Sequence, residues 1–189
     1  LAKSCPLPDY LENASFADRI IGKVSNANWK EAAIRGCGRF RLEEQARANY
    51  FDYLLRELKD SRTSLLEECN CFRSRKLTGA ADYFMRMGGL WIPVEAKLNI
   101  FAEDDLPGQI RQYLGIDRFV PTRGAHRGEE FSTVEHDVCL VVDQRGLYVT
   151  RGGEFVESTP HEPLLGTGDL LTADFESVRN RLLDIVTRR

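Results

Sequence analysis

The sequence predicts an α/β protein built on a mixed β-sheet, and three observations predict it. Apolar residues recur at helical spacing from Arg41 to Lys59 and again from Phe175 to Val186. Between those stretches the period shortens to that of strands, in Leu65 to Phe72, residues 80–87, residues 90–98 and Asp137 to Asp143. Two turn signals, Gly88-Gly89 and Gln144-Arg145-Gly146, join such runs into hairpins, the second leading into Leu147 to Thr150. The order is helices, three strands, a helix, two strands and a last helix, which layers helices against one sheet.

Each element has a local reason. Pro6 and Pro8 make residues 1–14 an irregular arm. Phe16, Ile20, Ile21 and Val24 follow helical spacing behind Ser15 as a cap, and a short helix from Asn28 to Arg35 ends at Gly36 and Gly38. The long helix carries Ala48, Phe51, Leu55 and Leu58 on one stripe, widened by Tyr50 and Leu54. The run DVCLVVD at Asp137 to Asp143 is apolar almost throughout, as in a strand buried on both faces. Pro107 and Gly108 precede a helix over Gln109 to Leu114. Residues 120–130 read as a polar loop and residues 151–171 as loop-rich. Phe175, Val178, Leu182, Ile185 and Val186 share one face of the terminal helix. Residues 1–40 are thus expected to form a helical extension and residues 41–189 the main domain.

Composition narrows the function. With 26 basic and 29 acidic residues, the 189-residue chain has a net charge of −3. That excludes a wholly basic nucleic-acid glove but permits a local basic groove. No apolar run approaches the ~20 residues of a membrane helix, and no charged-then-apolar leader is present. The five cysteines, Cys5, Cys37, Cys69, Cys71 and Cys139, are odd in number and scattered. This argues against a disulfide framework and for the cytoplasm. Cys69 and Cys71 are too close, and His126, His136 and His161 too far along the chain, for the usual zinc spacing.

The chemistry concentrates on the Gly88-Gly89 hairpin. In its second strand Ile92, Val94, Ala96 and Leu98 share one apolar face, while Trp91, Pro93, Glu95 and Lys97 share the other. A tight antiparallel hairpin brings Asp82 beside Glu95 to Lys97. Two carboxylates and an ammonium then converge. Paired carboxylates hold a hard divalent cation such as Mg²⁺, with Mn²⁺ as substitute. Such an ion activates water and neutralises phosphate charge. A neighbouring lysine orients the nucleophile and stabilises negative charge.

Asp82 followed across the hairpin by Glu95-Ala96-Lys97, entered through Trp91-Ile92-Pro93-Val94, resembles the PD-(D/E)xK, or restriction-endonuclease-like, nuclease superfamily. The match spans roughly residues 41–150. The resemblance implies a central mixed sheet flanked by helices, Asp82 and Glu95 as metal ligands and Lys97 as the catalytic lysine. Members often carry a glutamate on the preceding helix; here Glu43 and Glu44 are candidates, with Glu44 favoured as a further metal ligand. One branch has Q-x-x-x-Y after the lysine strand, and Gln109-Ile110-Arg111-Gln112-Tyr113 is similar to it, with Gln109 and Tyr113 one helical turn apart. Ala81 stands where the motif's name has proline. The expectation is a Mg²⁺-dependent nuclease, with DNA favoured over RNA. The rival is a nuclease-like module that binds nucleic acid or a partner protein without cutting.

Other residues carry weaker signals. Arg73, Ser74, Arg75 and Lys76 form a basic run, and Arg118, Arg123, His126 and Arg127 a second; each is read equally as a phosphate grip or a solvated loop. Arg111 lies within the motif and is a further phosphate candidate. Trp91 is read as core rather than as a base-stacking group. Gly166-Thr167-Gly168-Asp169 lacks the lysine of a phosphate loop and reads as a turn. His136 and Cys139 are read as structural.

Overall fold

Runs rich in valine, isoleucine and aromatic residues pair as expected in the computed structural model of the chain, which describes residues 54, 55, 58, 65–97, 99–134, 136–143, 145–166 and 173–188. The arm, the two N-terminal helices, Glu43, Glu44 and most of the long helix lie outside the described residues. Leu54, Leu55 and Leu58 are helical and fully buried, in keeping with the apolar stripe.

Nine strands form one mixed sheet among the described residues. They are β1 (Leu65–Arg73), β2 (Lys76–Met87), β3 (Leu90–Ala96), β4 (Arg118–Pro121), β5 (Phe131–Ser132), β6 (Val138–Asp143), β7 (Gly146–Arg151), β8 (Glu154–Phe155) and β9 (Leu165–Gly166). The spatial order is β5-β4-β1-β2-β3-β6-β7-β8, with β9 also on β7. Every pairing is antiparallel except β3 with β6, which is parallel and sets Glu95 opposite Val141. The crossover between them carries a 3₁₀ turn (Ile100–Ala102) and helix α1 (Leu106–Arg111); helix α2 (Phe175–Thr187) closes the described chain. Gly88 and Gly89 turn the β2–β3 hairpin at φ 55° and 85°, a conformation glycine adopts without a Cβ penalty. Among the described residues no helix is long and apolar enough to cross a membrane.

The sheet is covered on both faces. Met85, Ile92, Val94, Leu140, Val142 and Val149 form the first core, against Leu182, Ile185 and Val186 of α2 and against Leu54, Leu55 and Leu58. Arg179 Nε donates to Leu58 O at 2.8 Å, tying α2 to that helical segment. Phe84, Trp91, Phe119, Val141 and Tyr148 form the second, against Ile110 and Tyr113. Each large side chain so buried contributes roughly 1.5–3 kcal/mol.

Three sequence expectations need correction. Residues 120–130 are not loop from their start: β4 ends at Pro121, because Phe119 and Pro121 bury on one side while the strand pairs with β1. The helix expected over Gln109 to Leu114 runs from Leu106 to Arg111, because Asp105 caps it through Gly108 N at 3.0 Å and Pro107 suits a first turn. The loop-rich stretch contributes β8 and β9 to the sheet edge. The face of β3 bearing Trp91, Pro93 and Glu95 is buried as well, under the second core.

Candidate active site

The hairpin register pairs Tyr83 with Val94, which places Asp82 across from Glu95 at the next position. The Asp82 carboxylate does more than face its neighbour. Its Oδ2 accepts from the backbone N of Ala96 at 2.8 Å, between Glu95 and Lys97. Lys97 Nζ lies 2.7 Å from Glu95 Oε1, and Tyr113 OH donates to Glu95 Oε2 at 2.7 Å. The structure thus brings together Asp82, Glu95, Lys97 and Tyr113.

Tyr113 arrives from just beyond α1 rather than from within it, its N–H bonding Ile110 O at 2.9 Å. The approach passes close over Gly79 on β2. A Cβ there would lie 2.7 Å from Gln112 Oε1, 3.1 Å from Gln112 Cβ and 3.5 Å from the Tyr113 ring. Gln109 lies one turn before Tyr113, and its Oε1 is buried without a hydrogen-bond partner among the described residues. A buried acceptor left orphaned by the described residues completes its hydrogen bonds elsewhere, with water, a ligand or another part of the chain.

Burial sets the electrostatics. Glu95 is 3% exposed. Its pKa is raised above the ordinary carboxyl value, first by burial and then by the Asp82 charge, against the pull of Lys97 and Tyr113. Burial, and then Glu95, raise the Tyr113 phenol, so it stays a proton donor. Burial pushes the Cys71 thiol up to about 12, and burial and Glu95 push Cys139 up as well. Both thiols are therefore protonated and unsuited to nucleophilic attack.

One residue near the site escaped the sequence reading. Glu68 sits in β1 at φ 47°, across from Asp82 by the β1–β2 register. Leu66 and Phe84 face the second core on one side of this level, whereas Cys69, Cys71 and Ala81 face it on the other. Even-numbered positions thus give way to odd-numbered ones at Glu68 and Asp82. The left-handed residue and the switch of face mark a kink that aims Asp82 at the strand end. Thr122 holds it, its N and Oγ1 donating to Glu68 O at 2.8 and 2.7 Å. Adjacent Glu67 and Glu68 in an otherwise alternating strand were the only local signal.

The remaining candidates divide plainly. Trp91 is 9% exposed and packs edge-on to Phe119 and Phe131, so it is core. His136 Nε2 bonds Trp91 O at 2.7 Å and is structural. Cys139 is fully buried. In the basic runs, Arg73 bonds Leu114 O and Gly115 O, Arg118 pairs with Glu130, Arg123 with Glu68 and His126 with Glu129. Arg75, Lys76, Arg111 and Arg127 are exposed. Thr167, Gly168 and Asp169 lie outside the described residues.

Asp82 and Glu95 supply hard oxygen donors of the kind Mg²⁺ takes, and Glu95's raised pKa is what a nearby cation would relieve. Among the described residues no group of three or more His, Cys, Asp or Glu side chains is gathered to hold a metal. No family model matches the chain, and neither does any curated protein or solved structure.

Proposed function

We propose that the chain is a divalent-metal-dependent nuclease with a restriction-endonuclease-like core, hydrolysing phosphodiester bonds, with DNA favoured over RNA. The observation that carries the reading is the convergence of Asp82, Glu95 and Lys97 at the end of one strand pair, with Lys97 2.7 Å from Glu95. Asp82 and Glu95 would hold the ion, with Glu44 or Glu43 as a further ligand. A bound Mg²⁺ supplies charge neutralisation at phosphate and a more acidic water.

The chain's own residues do the rest. Tyr113 and Lys97 favour the ionised form of Glu95 against its burial, the form a ligand carboxylate takes. The Ala96 N–H holds the Asp82 carboxylate against the E-x-K strand. Lys97, 14% exposed, places an ammonium beside the ligand carboxylate, where it orients the attacking water and offsets charge in the transition state. Gln109 offers a buried acceptor one turn from Tyr113.

A cleavage assay with Mg²⁺ or Mn²⁺ on single- and double-stranded DNA and RNA tests the reading. Cleavage that needs the metal and vanishes in Asp82→Ala supports it. A parent protein that binds nucleic acid yet cuts none would replace it with the non-cleaving module, a reading favoured by the internal pairing of Arg73, Arg118 and Arg123.

A further inference from the structure

Beyond Lys97 the chain leaves the sheet beside the end of β6. Lys97 N donates to Val142 O at 2.9 Å, and Ile100 N to Asp143 Oδ2 at 3.3 Å. The next side chain, Phe101, is 46% exposed, the one aromatic residue among the exposed large hydrophobics of the described chain. It does not stand alone. The Arg145 guanidinium lies 3.8 Å from the centre of its ring, and the exposed His161 ring is centred 4.9 Å away at 40°. Three flat, delocalised groups therefore share one solvent-facing patch. The Phe101 backbone lies within about 14 Å of that of Lys97, the most that four residues can span.

The patch is built rather than incidental. Buried Asp143 holds Arg145 by its backbone N at 2.7 Å and by Nη2 at 3.1 Å. Asn99 Oδ1 accepts from Phe101 N at 3.1 Å and from Arg145 Nη2 at 3.2 Å. Ring and guanidinium are thus fixed to one scaffold, so a ligand stacking there would lose little freedom in ordering it. Its chemistry selects the ligand. Arg145 is already neutralised by Asp143, which weakens it as a phosphate grip and leaves its plane, and the rings beside it, as stacking surfaces. Aromatic and guanidinium planes take bases that are out of a duplex stack. The position lies outside the carboxyl ends of the parallel pair β3 and β6.

We propose that Phe101, Arg145 and His161 form a stacking platform for an unpaired nucleobase next to the Lys97 site. The substrate would then be single-stranded, or unpaired near the cleaved bond. This rests on the nuclease reading for its purpose but not for its test.

The test is binding of a single-stranded oligodeoxynucleotide carrying 2-aminopurine, and of its duplex, in EDTA so that nothing is cut. In the parent protein, single strand should bind more tightly than duplex and the 2-aminopurine fluorescence should be quenched. Phe101→Ala should weaken single-strand binding by about tenfold, the loss of one stacked base, and abolish the quenching. Phe101→Trp should restore both. His161→Ala should show a smaller loss of the same kind. Equal binding by the parent and Phe101→Ala, no binding by the parent, or a preference for duplex without quenching would each overturn the platform. Adding Mg²⁺ separates the two readings. Quenching with no cleavage removes the nuclease and leaves the platform; cleavage with no effect of Phe101→Ala on binding does the reverse.

Discussion

Ile92, Val94 and Ala96 leave one face of β3, and Trp91, Pro93 and Glu95 leave the other; all six are buried. The first face meets an aliphatic layer from α2, β6 and β7. The second meets aromatic rings, thiols and a phenol, and at its end a carboxylate bonded to Tyr113 and Lys97. The contrast teaches where a reactive group can sit in a doubly covered sheet. Burial on the first face only stabilises. Burial on the second also raises the pKa of Glu95, and each hydrogen bond made to that carboxylate offsets part of the desolvation. The second face therefore gives up some stability to hold a carboxyl group inside the fold.

Substitutions on the second face break the comparison most sharply. Asp82→Ala and Glu95→Ala should each abolish Mg²⁺ binding and cleavage, read by titration calorimetry and a cleavage time course. Lys97→Ala should bind the ion as well as the parent or better, because a positive charge is gone, while cleavage falls by roughly 10²–10³. Wild-type cleavage by Lys97→Ala would reduce the pair to an ordinary ion pair.

The first face should answer differently. Ile92→Ala should lower stability by about 2–5 kcal/mol in urea unfolding, because it leaves a cavity in a fully buried layer. The activity of the molecules that remain folded should be unchanged. A loss of cleavage out of proportion to unfolding would show that the two faces are not separable.

Glu95→Gln sharpens the contrast in the metal-free protein. A carboxyl whose folded pKa is raised favours folding while it is protonated and loses that contribution as pH rises through the folded pKa. The parent should therefore lose stability relative to Glu95→Gln as pH climbs above the ordinary value of 4.5. Saturating Mg²⁺ should reverse the trend in the parent alone, since a ligand at 100 times its Kd adds about 2.7 kcal/mol. Thermal melts across pH, with and without Mg²⁺, read both effects.

Smaller shifts are expected from the residues that support Glu95. Tyr113→Phe removes a bond that favours the ionised carboxylate, so the acid limb of the cleavage profile should move to higher pH. An unmoved limb would mean that Glu95 is not the group titrating there. Gly79→Ala should cost about 1 kcal/mol and reduce cleavage only a few-fold, because Gln112 can swing away although its Cβ cannot.

Much of this site was legible in the sequence because its parts are local. Alternation along residues 90–96, the Gly88-Gly89 turn and the length of the hairpin place Asp82 across from Glu95 without any long-range information. The same holds for the apolar run of β6 and the stripe of α2. What the tertiary structure alone decided is the second layer. Trp91 reads as core from the sequence, but its partners Phe119 and Phe131, distant along the chain, come only from the fold. β4 became a strand because β1 offered it an edge, and Glu68 turned left-handed where Thr122 could hold its carbonyl. The state of Glu95 follows from the same cause. Periodicity reports which side chains share a face, but a carboxyl's pKa depends on how much water and which partners folding leaves beside it. Those are properties of packing between segments that no short window of the chain contains.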